Sequence, residues 1–112
     1  KLPVLEIGRA VRFHPRFKPA GTNVNFVEVT GPQAIGVRTY ERGVEAETLA
    51  CGTGSAASAI VSAKAGYTEP PVQVKTQGEE VLTVDFKKKG GGIREVCLEG
   101  GAQFVFEGKW LI

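Results

Sequence analysis

Apolar and polar positions alternate over short stretches along most of the chain, which predicts a series of strands. Leu2 to Ile7 is apolar-rich and reads as extended, and Ala10 to Phe13 reads as another short extended piece. Thr22 to Thr30 (TNVNFVEVT) is strongly strand-like, with Val24, Phe26 and Val27 to Val29 in approximate alternation. Gly31-Pro32-Gln33 marks a turn, after which Ala34 to Tyr40 returns as the second arm of a hairpin. Val72 to Thr76 and Glu80 to Phe86 form a second pair around Gln77-Gly78. Lys87 to Gly92 (KKKGGG) is a turn with a charged edge. Ile93 to Leu98 and Gln103 to Phe106, around Gly100-Gly101, complete the series. Antiparallel hairpins are the natural connections, because the linkers are too short for repeated helical crossovers.

One segment departs from this rhythm. Gly52 to Ala65 (GTGSAASAIVSAKA) is almost all small residues, with Lys64 in its last turn and Gly66 as a stop. A surface helix carries a broad polar face, and this one has almost none. The fold predicted is α+β: one domain over residues 1–112, with an antiparallel or mixed curved sheet wrapped around one central buried helix.

Composition narrows the function. With 112 residues and 42% hydrophobic content, the chain suits a single globular core. A net charge of +2 gives no support for a nucleic-acid partner. The early basic residues Lys1, Arg9, Arg12, Arg16 and Lys18, together with His14, are spread among prolines and read as a solvated face. No apolar run is long enough to span a bilayer. Cys51, Cys97 and one histidine match no zinc pattern, so no metal is expected. A disulfide is left open, but so few cysteines fit a reducing cytoplasm better than a stapled secreted fold. The chain has no methionine, and Lys1-Leu2-Pro3-Val4 reads as the interior of a longer protein.

The chemistry concentrates in Tyr40 to Ser55 (YERGVEAETLACGTGS). Cys51 immediately precedes the small-residue helix. Unpaired N–H groups and the positive end of the helix dipole favour a thiolate there. The same N–H groups can hold a ligand carboxylate, and the glycines let it approach. A thiolate beside a carboxylate cradle is what abstraction of a proton next to a carboxylate requires. The plainer alternative is a small buried cysteine at a tight turn. Cys97, between Val96 and Leu98, reads as packing, and His14 as a turn residue before Pro15.

Three blocks carry a resemblance: GTNVNF at Gly21 to Phe26, RTYERGVEAETLACGTGSA at Arg38 to Ala56, and FVFEG at Phe104 to Gly108. In that order they resemble the C-terminal half of the diaminopimelate epimerases, over nearly the whole chain. The resemblance implies a pyridoxal-independent enzyme, needing no cofactor, that interconverts LL- and meso-diaminopimelate in lysine and peptidoglycan precursor synthesis. It implies two similar domains, each a sheet curled around a helix and each contributing one cysteine to a cleft. Carried over by motif, Cys51 is an acid/base, and Gly52 and Thr53 bind the α-carboxylate through backbone N–H groups. Glu41 and the Arg42 carbonyl receive the α-amino group, and Glu41 also opposes thiolate formation by its charge. The Arg42 guanidinium and Asn23 grip the distal carboxylate. Asn25, on Asn23's face by period two, is a weaker candidate.

This chain departs from the family pattern in two ways. Its GVEAETLA loop is one residue longer than the shorter GVGET-type loops. It also lacks the first half, with that half's own cysteine and a Gly-Asn-Pro-His segment, so a strand at one sheet edge is expected to be missing. The partners implied are diaminopimelate and the N-terminal domain of the same enzyme, and a homodimer stays open. Alone, the chain is expected to be inactive, because one thiol cannot serve both faces of a carbanion. The alternatives are a related isomerase such as a proline racemase, which would need an apolar pocket in place of Arg42, and a non-catalytic isolated domain.

Overall fold

The computed structural model describes residues 2–112; Lys1 lies outside the described residues. Its first element corrects the reading of the N-terminus. Leu2 to Ile7 and Ala10 to Phe13 are not extended but fall largely within one helix, α1 (Val4–Arg12). Spacing explains it: Val4 and Gly8 lie one turn apart and are buried, while Leu5, Glu6 and Arg9 face outward. Pro3 caps the start, where its missing N–H costs no helical bond, and Arg9 and Arg12 sit in the last turn.

The strands that follow are β1 (Val24–Gly31), β2 (Ala34–Glu41), β3 (Ala46–Thr48), β4 (Val72–Lys75), β5 (Val81–Lys89) and β6 (Gly92–Glu99), with helix α2 (Gly52–Lys64) between β3 and β4. They form one six-stranded sheet in the order β1-β2-β4-β5-β6, with β3 also paired to β2. All pairs are antiparallel except β2 with β4, which run parallel. The one linker long enough for a crossover therefore makes one, and α2 lies within it.

β2 is the hub of the sheet. Along one edge it pairs with β1, from Val24↔Tyr40 to Gly31↔Ala34. Its other edge is divided: Ala34 to Gly36 pair with β4, and Thr39 to Glu41 pair with β3. Alternation along β2 sends Ile35, Val37 and Thr39 to the side of α2 and Tyr40 to the side of α1. The core unites Ile35 and Val37 with Val72, Val74, Leu82, Val84 and Phe86 beneath Ala59 and Ala63 of α2. Small side chains on α2 are what allow this approach. A Cβ on Gly54 would stand 2.5 Å from Asn25 Oδ1.

The α+β class, with a mixed sheet against a small-residue helix, is as expected. The helix is nonetheless not covered all round. Gly54, Ser55, Ser58, Ala59, Ser62 and Ala63 are buried, while Thr53, Ala57 and Val61 face outward. Val61, Ala57 and Ala65 share an open groove with Val27, Val29 and Tyr67. Two smaller readings also change. Residues 100–112 form no helix or strand, so Gln103 to Phe106 is not a strand here, and Phe104 and Trp110 are almost wholly exposed. A strand needs a neighbouring edge to take up its backbone groups, and alternation alone supplies none. Cys97 points outward from β6 and is exposed, not packed.

Candidate functional site

The YERG…CGTGS segment wraps around the β3 end of β2. β2 ends at Glu41, the chain turns through Arg42 to Glu45, returns as β3, and enters α2 at Cys51. The turn is closed by the Glu45 N–H donating to the Glu41 carbonyl at 2.8 Å, with Gly43 at φ +94°. Such a φ is accessible to glycine without a side-chain clash.

Cys51 occupies the N-cap position of α2 with an extended backbone (φ −143°, ψ 109°), and its side chain caps no N–H. The first helical bond runs from the Ser55 N–H to the Cys51 carbonyl at 2.8 Å. The N–H groups of Gly52, Thr53 and Gly54 come before that bond and lack acceptors within the helix. Cys51 is half-buried, and its sulfur lies 3.6 Å from Thr53 Oγ1. The approach to Cys51 is braced from below. The Gly78 N–H, at the tip of the β4–β5 hairpin, donates to the Leu49 carbonyl at 2.9 Å.

The other candidates sit on adjacent strands. Asn23, just ahead of β1, accepts the Arg42 backbone N–H on Oδ1 at 2.7 Å, which leaves its Nδ2 free to donate elsewhere. Arg42 is exposed and gives one guanidinium N–H to the Ala20 carbonyl at 3.0 Å. Glu41 accepts the Thr48 hydroxyl at 3.2 Å. A simple Glu41–Arg42 ion pair, the plain alternative for those two charges, is therefore not how either is held. Asn25, Thr39 and Thr48 stand in one row across three strands. The Thr39 hydroxyl donates to Asn25 Oδ1 at 2.7 Å, and that oxygen lies against Gly54 in the first turn of α2. Asn25 is thus a spacer between sheet and helix. The structure brings Asn23 to Arg42 and Cys51 to Thr53, with the Glu41–Thr48 contact between them along the chain.

Residues 1–105 match the diaminopimelate epimerase family. The chain belongs to that family. Among curated relatives, the diaminopimelate epimerase of Aquifex aeolicus (strain VF5) is 54% identical over 97% of this chain and 38% of the relative. That of Chlorobaculum tepidum is 46% identical over 96% of the chain and 41% of the relative. The Archaeoglobus fulgidus protein of the same name is 43% identical over 94% and 35%. The chain therefore spans well under half the length of these diaminopimelate epimerases.

Two pairs of charged residues escaped the sequence reading. Arg12 is not part of a solvated face: its side chain is only 15% exposed and makes a two-pronged contact with Glu45, Nε at 3.0 Å and Nη2 at 2.8 Å. Glu45 also accepts the Gly43 N–H at 3.0 Å and the Tyr40 hydroxyl at 3.1 Å. The Gly43 N–H foremost, and then the Arg12 guanidinium, hold its carboxyl below the ordinary carboxylate value. A helical reading of Val4, Gly8 and Arg12, one turn apart, would have turned Arg12 towards the sheet. Arg38 and Glu47 make a second two-pronged pair, at 2.7 Å on both arms, which lowers the Glu47 carboxyl and raises the arginine. Arg9, Arg16 and Lys18, and His14, which caps Pro15–Phe17 by accepting the Arg16 N–H, do lie on the surface; Lys1 lies outside the described residues.

Proposed function

We propose that this domain supplies one of the two acid/base thiols by which diaminopimelate is epimerised without a cofactor, the second coming from the remainder of the enzyme. The observation that carries the reading is Cys51 at the N-cap of α2, beside helical N–H groups that no side chain caps. In the forward direction the Cys51 thiolate takes the α-proton as the C–H bond breaks. The electron pair left on carbon takes a proton from the opposite thiol, so one thiolate is exchanged for the other and the reverse reaction uses the same groups. Gly52 and Thr53 N–H groups receive the α-carboxylate, where the helix dipole also favours an anion.

Glu41 and the Arg42 carbonyl receive the α-ammonium. The free prongs of Arg42 and the unspent Nδ2 of Asn23 take the distal carboxylate, a geometry suited to a planar guanidinium. A proline ring, with one carboxylate and no polar tail, would leave Arg42 without a partner, which favours diaminopimelate over a proline-type substrate.

The test is isotopic. In the two-domain enzyme, Cys51→Ser lowers turnover of diaminopimelate in deuterated water by about 10²–10⁴-fold, the usual worth of a positioned acid/base. The purified 112-residue chain alone gives no inverted, deuterated product; inversion by it would defeat the two-thiol scheme.

A further inference from the structure

We propose that Arg12 and Glu45 are a positioning pair that sets the Glu41–Arg42 turn, and with it the grip on the distal carboxylate. The proposal rests on the substrate reading given above. Glu45 is a non-glycine residue at φ +59°, a left-handed backbone that costs roughly 1 kcal/mol or more unless its surroundings hold it there. Its carboxylate has both oxygens occupied: Oε2 takes Arg12 and the Gly43 N–H, and Oε1 takes the Tyr40 hydroxyl. The side chain therefore folds back over its own turn and fixes the peptide next to Arg42.

Arg12 brings this clamp from another element, α1, and it touches a second segment as well. Its guanidinium lies 4.3 Å over the Phe13 ring and against Gly21, at φ +77°, where no Cβ would fit beside it. Gly21 opens the GTN stretch, and Asn23 within that stretch accepts the Arg42 N–H while Ala20 accepts the Arg42 guanidinium. One arginine thus braces both segments that carry the distal-carboxylate ligands. Exposed ion pairs contribute little, but this one is two-pronged, largely shielded, and locked to a backbone N–H. Neither residue touches the reacting atoms, so their effect is expected on binding and not on proton transfer.

The experiment uses the two-domain enzyme and follows kcat and KM for diaminopimelate in wild type, Arg12→Gln, Glu45→Gln and the double variant. A disturbed turn raises KM by about tenfold in each single variant and leaves kcat within about twofold, because the lost contacts act equally on substrate and transition state. The double variant resembles the singles instead of multiplying their effects. Arg12→Lys, which keeps the charge but not the fork, falls between Arg12→Gln and wild type and provides a readout if the glutamine variant does not fold. Unchanged KM in the single variants overturns the proposal, as does a fall in kcat at constant KM. A wild-type enzyme that does not epimerise diaminopimelate overturns the substrate reading and this proposal together. A working wild type with unaffected variants overturns this proposal alone.

Discussion

Gly54 and Asn25 show how closely single atoms set the site. An alanine at position 54 gains about 1 kcal/mol of helix propensity. It also drives a methyl to 2.5 Å from Asn25 Oδ1, which the Thr39 hydroxyl already holds at 2.7 Å. Overpacking of this kind costs about 1–3 kcal/mol, so the clash outweighs the gain. Gly54→Ala is expected to lower the urea midpoint, and Asn25→Ala in the same chain to restore part of it. A midpoint raised by Gly54→Ala alone would show that the helix moves aside freely. At this scale the sequence offers candidates where they are contiguous: Asn23, Glu41, Arg42 and Cys51, the residues of the proposed site, all lie within short motifs. It was least legible where partners are far apart in the chain. Arg12 and Glu45 are joined by folding alone, and nothing in either neighbourhood reveals the other.

Among the elements, α1 was misread as extended, and its glycine explains both the error and the packing. Gly8 is buried against Tyr40, and a Cβ there would lie 2.5 to 2.8 Å from three atoms of the fully buried tyrosine. A run of apolar letters broken by glycine looks extended, but the glycine is the contact point that lets the helix lie flat on the sheet. Gly8→Ala is therefore expected to destabilise the chain by about 1–3 kcal/mol despite its better helix propensity, measured by urea unfolding. It should also weaken the Arg12 bridge, which projects from the end of the same helix. The hairpins β1–β2 and β4–β5 were legible from alternation and their Gly-containing turns, because their contacts are local. β3, only three residues long, and the parallel pairing of β2 with β4 were not, since neither leaves a periodic trace.

For the molecule as a whole, two carboxylates link stability to acidity. Glu45 and Glu47 are both held below the ordinary carboxylate value, by the Gly43 N–H with Arg12 and by Arg38 respectively. The unfolded chain then takes up protons before the folded one does. Their contribution is complete above the ordinary carboxylate value and drains away as pH falls through the lowered folded values. Urea midpoints measured across that acid range should decline in the wild type and decline less steeply in Glu45→Gln and Glu47→Gln; parallel curves would exclude both residues as the cause. The division of β2 has a wider consequence. Its first half, paired with β4, belongs to the scaffold, and its second half, paired with β3, carries Glu41, the residue proposed above to meet the α-ammonium. The crossover helix α2 begins near that second end with Cys51. Doubly wound nucleotide-binding folds lodge their ligands in the crevice beyond the carboxyl ends of parallel strands, at the mouths of crossover helices. A single parallel pair gives this largely antiparallel sheet one such mouth, so the loops there can be retuned for a different ligand while the β4–β5–β6 meander stays as it is.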